Sequence, residues 1–229
     1  MGSGSHPVTL RVADGAGNVS SCTTTFTVAD SKPPVVNCPP SVSVRAEQNC
    51  QAAVPDLLAR VRVLDNCTPA DQLVKTQNPP AGTLVGLGTH PITVTVTDAA
   101  GNTTACAVRL KVIDSTAPVV QSVVANPNVI LQTNKQMVPV TVSVSASDNC
   151  DSNPVSRIIS ITSSDPVKGP GDNTRPDWQI TGPLTASVRA ERSPTGGDRT
   201  YTITVRCRDS AGNHSTKSVT VIVQKPHNP

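Results

Sequence analysis

Carboxylate and amide side chains recur at fixed places in this 229-residue sequence, and they are hard oxygen donors of the kind that hold a divalent cation. Asp-x-x-Gly-Asn stands at Asp14–Asn18, Asp98–Asn102 and Asp209–Asn213, and Asp-Asn-Cys at Asp65–Cys67 and Asp148–Cys150. Two more acids, Asp30 and Asp114, end the segments that carry the first two copies. The competing reading needs no ion. Asp and Asn also close Asx turns and tolerate left-handed backbone. Both readings stay open at the level of sequence.

Other chemistry has less support. The histidines His6, His90, His214 and His227 assemble into no Ser-His-Asp or Cys-His arrangement, so no catalytic residue is assigned. Seven cysteines without a C-x-x-C pair speak against a zinc ribbon or a thioredoxin-type site, and for disulfides outside the reducing cytosol.

These residues ride on a repeat. Gly4–Asp30 lies without a gap over Gly88–Asp114 at a shift of 84, and a diverged third copy runs from Tyr201 to Val223. In the middle copy Ile92, Val94 and Val96 alternate with threonines, and Cys106, Val108, Leu110 and Val112 continue the period of two after the turn. That is a β-hairpin with one buried face. Abundant Val and Thr with 1% aromatic residues indicate an all-β chain with thin cores. A net charge of +3, spread without a Lys/Arg block, excludes nucleic acid as an expected partner, and no apolar stretch is long enough to insert in a membrane. The opening residues lack the features of a signal peptide.

Strand phase suggests the cysteine pairs. Cys67 follows Val61 and Val63, Cys150 follows Val138, Val140, Val142 and Val144, and Cys207 is in phase with Ile203 and Val205. Counting in twos puts these sulfurs inside, which pairs Cys150 with Cys207 and Cys67 with Cys106. Cys38 and Cys50, both without counterparts in the third copy, are left to each other. Cys22 aligns with Cys106 and is expected to be unpaired, either as a free thiol or as half of a cut disulfide.

The string Gly88, His90, Ile92, Asp98, Gly101, Asn102, Cys106, Val112, Asp114, preceded by Cys38-Pro39 and Asp65–Cys67, resembles the hyalin repeat family. The resemblance extends to Gly4, His6, Asp14, Gly17, Asn18 and Cys22. It implies tandem immunoglobulin-like β-sandwiches in a linear array, in secreted or cell-surface proteins that serve extracellular adhesion and interaction, not catalysis. The third unit is similar to a related bacterial Ig-like domain through Asp148–Asp151, Pro176–Trp178 and Arg189–Arg192, although Tyr201 replaces the histidine and Lys217 stands at the position of Cys106.

The expected division is a C-terminal hairpin remnant over 1–31, a complete repeat over 32–115 and a larger sandwich over 116–229. In Ig-like topology the loop after the second strand and the last hairpin turn share one pole, where the preceding linker also arrives. That groups Asp30, Asp65, Asn66, Asp98 and Asn102 as one candidate Ca²⁺ set, and Asp114, Asp148, Asn149, Asp151, Asp209 and Asn213 as another. Three functions compete: a stalk or adhesion array stiffened by calcium, an accessory polysaccharide-binding module of a secreted hydrolase, and a self-assembling subunit completed through the N-terminal hairpin. Expected partners are neighbouring Ig-like domains of a larger chain and an extracellular protein or polysaccharide.

Overall fold

The computed structural model describes residues 4–132, 135–165, 175–192 and 197–224. The Pro/Gly-rich stretch Lys168–Asp177 reads in sequence as a loop and lies outside them as far as residue 174, and so does His227. The chain forms two compact units: residues 1–46 with 51–113, and residues 47–50 with 114–229.

The first unit contains β1 (Gly4–Ala13), β2 (Val19–Val28), β3 (Val35–Asn37), β4 (Ser41–Arg45), β5 (Gln51–Ala53), β6 (Arg62–Leu64), β7 (Val74–Asn78), β8 (Leu84–Gly86), β9 (Gly88–Thr97) and β10 (Thr103–Ile113). The period of two produces the central hairpin, β9 against β10 from Gly88↔Val112 to Thr97↔Thr103. β7 pairs antiparallel with β9 and β4 parallel with β10, giving the sheet β4-β10-β9-β7. Short pairs β3-β6 and β5-β8 accompany it, and Ile92, Val94, Val96, Val108, Leu110 and Val112 are buried with Leu57, Val54 and Val61.

β1 and β2 form the same hairpin in the same register, Gly4↔Val28 to Ala13↔Val19, as a sheet of two strands. The consequence shows in exposure. Val8, Leu10 and Phe26 are 42%, 60% and 54% exposed, whereas their equivalents Ile92, Val94 and Leu110 are at 0%. Full burial of such a side chain is worth about 1.5–3 kcal/mol, so the repeat's sequence asks for a covering sheet that β1 and β2 alone do not provide.

The second unit contains β11 (Val119–Asn126), β12 (Val129–Leu131), β13 (Met137–Ser147), β14 (Val155–Ser163), β15 (Trp178–Gly182), β16 (Thr185–Arg189), β17 (Arg199–Arg208) and β18 (His214–Gln224). They make two four-stranded sheets, β11-β13-β16-β15 and β12-β18-β17-β14. Val140, Val142, Ala186 and Val188 of the first pack with Ile158, Ile161, Ile203, Val205, Val221 and Val223 of the second in one core. β12 runs parallel to β18, as β4 does to β10.

At one end of that core lie charges. Asp177, Arg189 and Arg199 are buried, and Arg199 Nη2 sits 2.7 Å from Asp177 Oδ2. The Arg199 guanidinium lies 4.7 Å from the centroid of the Tyr201 ring, which meets Trp178 edge-on at 6.2 Å. Arg189 donates to the carbonyls of Lys135 (2.7 Å) and Pro176 (2.6 Å), and the Tyr201 hydroxyl reaches the carbonyl of Arg189 at 3.0 Å. Burial pushes the Tyr201 phenol above its usual range, against the opposing pull of Arg199. Pro176–Trp178 and Arg189–Arg192 are therefore parts of one buried lock.

The cysteine pairs differ from expectation. Cys38 is bonded to Cys106 and Cys50 to Cys150, with Cα atoms 6.4 and 4.6 Å apart, while Cys67 and Cys207 are thiols. Cys22 is an exposed thiol. The expected pairs Cys67–Cys106, Cys150–Cys207 and Cys38–Cys50 fail for a local reason. Asp65 Oδ1 accepts from the N–H groups of Cys67 and Thr68, and Asp148 Oδ1 from those of Cys150 and Asp151. These Asx turns end the strand alternation at Leu64 and Ser147, so counting in twos does not carry through to the sulfur. Cys67 turns out to solvent, and Cys207 stays buried without a partner sulfur. Cys150 meets Cys50 instead, on the short Glu47–Cys50 segment that belongs with the second unit.

Candidate metal centres

Each hairpin turn fixes an aspartate. Asp98 Oδ1 accepts from the N–H of Asn102 at 2.8 Å and Oδ2 from its side-chain amide at 2.8 Å, with Gly101 at φ +90° completing the turn. Asp209 repeats this with Asn213, at 2.7 and 2.8 Å, and Gly212 at φ +102°. Asp14 and Asn18 do so too, and the Asn18 side-chain amide is the leading cause of a lowered Asp14 pKa.

Two carboxylates join each turn. Asp30, Asp65 and Asp98 each bring an oxygen to within 4.8 Å of the other two, and so do Asp114, Asp148 and Asp209. Asp98 and Asp209 are buried; the other four are half-buried. The oxygens divide their work. Asp30 Oδ1 accepts from the Lys32 N–H at 3.1 Å, Asp114 Oδ1 from the Thr116 N–H at 3.0 Å, and Asp65 and Asp148 close their Asx turns through Oδ1. The second oxygens of Asp30, Asp65 and Asp148 are buried without a hydrogen-bond donor. Hydrogen bonds from the Thr68 and then the Cys67 backbone hold the Asp65 pKa below the usual carboxylate value, keeping it charged.

The amides buttress the triads. Asn102 Nδ2 also approaches the Asp30 carbonyl at 3.4 Å, and Asn66 Nδ2 approaches Asp30 Oδ1 at 3.5 Å. Asn149 donates to the Glu47 carbonyl and leaves its own Oδ1 buried and unpartnered. Asp151 stands apart from the second triad: its oxygens accept from the N–H groups of Asn153 and Ser210. Asn18, Asn102 and Asn213 each begin an Asn-x-Ser/Thr sequon and donate their side-chain nitrogens to aspartate oxygens at 2.8 Å, whereas Asn66, which begins a fourth, donates to Cys67 Sγ at 2.9 Å. His90 ties its ring Nε2 to the Gly86 carbonyl at 2.8 Å, a structural role.

The chemistry of the donor set fits a hard divalent cation. Each triad gathers three carboxylates, Asx-turn bonding satisfies only part of their oxygens, and Ca²⁺ draws its remaining ligands from backbone, amides and water.

Disulfide-bonded, all-β repeat units define an extracellular module of the adhesion type. Residues 29–112 match the model of the HYR domain. No curated protein sequence matches the chain. Similar solved structures include PcdhgB3 EC1-4, at 17% identity over 97% of this chain and 58% of that one, with a TM-score of 0.41. Protocadherin Gamma B7 extracellular cadherin domains 1-4 give 16% identity over 96% and 57%, with a TM-score of 0.38. Titin domains I67–I69 give 11% identity over 97% and 75%, with a TM-score of 0.34. The chain thus spans rather more than half the length of the two protocadherin chains.

Proposed function

We propose that the chain is a noncatalytic stretch of an extracellular stalk or adhesion array, and that calcium at each acidic triad restrains the chain where it enters a repeat. The observation that carries this reading is the set of buried, donorless second oxygens of Asp30, Asp65 and Asp148 beside two further carboxylates. Asp30 follows β2 by two residues and Asp114 follows β10 directly. An ion that binds either acid together with two loops of the next fold removes freedom from the connecting chain. Among the described residues Trp178 is half-buried against Tyr201 and is no open platform for a sugar ring, which favours the array over the accessory polysaccharide module. Small-angle scattering of the full chain tests the reading. Millimolar calcium narrows the distribution of end-to-end distances relative to EDTA; identical profiles in the two refute the stiffening.

A further inference from the structure

Three arginines meet on the solvent face of the second unit although sequence scatters them. Arg157 of β14 lies directly opposite Arg206 of β17, and Arg208 follows two residues along the same face, opposite Val155. His214 of β18 flanks Arg208 across the next pair. With Val155, Ile159, Asn153 and Ser210 the arginines line a groove of about 750 Å³. Like charges placed directly opposite across a sheet repel. Among the described residues none of the three has a carboxylate in ion-pair range. The two acids at the rim, Asp151 and Asp209, are occupied by turn N–H groups.

We propose that this groove binds an extended acidic peptide segment of a partner protein. Alternate residues of an extended chain are about 6.6 Å apart, which is the separation of Arg206 and Arg208 along β17, so acids at i and i+2 meet both guanidinium groups. Guanidinium pairs bidentately with carboxylate, giving direction as well as charge. Val155 and Ile159, 56% and 40% exposed, offer aliphatic contacts on either side of Arg157. Among the described residues no aromatic ring lines the groove, so a sugar finds no stacking platform in them. The Ile158 N–H at the β14 edge donates to the Pro183 carbonyl at 2.7 Å, so the ligand lies across the face and does not extend the sheet there. This deepens the interaction reading above by naming the partner's chemistry, and it rests on that reading.

The test is fluorescence anisotropy with the full chain and a labelled peptide of alternating Glu and Val, a Lys-Val control, and a heparin oligosaccharide as a separate probe. The Glu-Val peptide is expected to bind, to weaken as salt rises, and to lose at least about tenfold affinity in Arg206→Glu and in Arg157→Glu, each with unchanged melting; the control does not bind. No binding of the Glu-Val peptide at low salt, or equal binding in both variants, overturns the proposal. Heparin binding that depends on these arginines without peptide binding replaces it with a glycan site. Measurement in calcium and in EDTA separates it from the array reading: loss of peptide binding with an intact calcium-dependent scattering change removes the groove alone.

Discussion

Asp148→Asn isolates the ion from the turn. Asparagine keeps Oδ1 as the acceptor for the Cys150 and Asp151 N–H groups, at 2.9 Å each in the parent, and replaces the donorless Oδ2 and its charge with an amide. Two unit charges 4 Å apart repel by about 1 kcal/mol in water and about 4 kcal/mol at an effective dielectric of 20. The Asp148 oxygen faces two carboxylates within 4.8 Å. Without calcium, the variant is therefore as stable as the parent or more so. With calcium the parent gains RT ln(1 + [Ca²⁺]/Kd), about 2.7 kcal/mol at 100 times Kd. At roughly 4 °C per kcal/mol for a unit of this size, that raises its melting temperature by about 10 °C. The variant gains little. Differential scanning calorimetry of both chains in millimolar calcium and in EDTA reads all four states. A variant less stable than the parent in EDTA, or an equal calcium shift in both, refutes the assignment of repulsion and ion to these oxygens.

Ile92→Ala should cost about 2–5 kcal/mol because it empties a fully buried position, whereas Val8→Ala at the equivalent exposed position should change stability by less than about 0.5 kcal/mol; urea unfolding compares them. If β1 and β2 find cover on another chain, light scattering of the full chain will show concentration-dependent mass that a version starting at Lys32 lacks. Tyr201 is the sole tyrosine, and its raised folded pKa means that its contribution to stability is complete below the unfolded value of about 10 and is lost as pH climbs through the folded value; native absorbance at 295 nm should stay flat past pH 10 while the denatured chain titrates. Nonreducing peptide mapping should link Cys38 to Cys106 and Cys50 to Cys150, and a thiol reagent should reach Cys22 and Cys67 in the folded protein but Cys207 only after unfolding.

Alternation in twos marked β9, β10, β13 and β17 because each buries one face, and the 84-residue shift carried the hairpin register from one copy to the other. Asp-x-x-Gly-Asn could be read as a turn since only its glycine reaches positive φ without strain. The acids that meet were likewise legible, as they fall in loops of one pole. Asp151 was grouped with them by proximity in sequence, but a backbone N–H at Ser210 claims it. Disulfide partners were not legible, because an Asx turn after each strand redirects the cysteine. Nor was the lock around Asp177: Arg189 and Arg199 sit on buried strand phases, the available sign, yet the carboxylate that neutralises Arg199 comes from a distant segment. The arginine groove was hidden for the same reason, with Arg157 far from Arg206 along the chain and opposite it in register.

The bond between Cys50 and Cys150 joins residues 100 apart in sequence. Tension applied at the two ends of the chain passes through those two sulfurs and bypasses everything between them, including β5 to β10 and the start of the second unit. At about 3.3 Å per residue, roughly 330 Å of contour is withheld from extension. The β5 to β10 part of the middle repeat can thus melt under load without lengthening the molecule, and the slack is released in full only when a reductant opens Cys38–Cys106 as well as Cys50–Cys150.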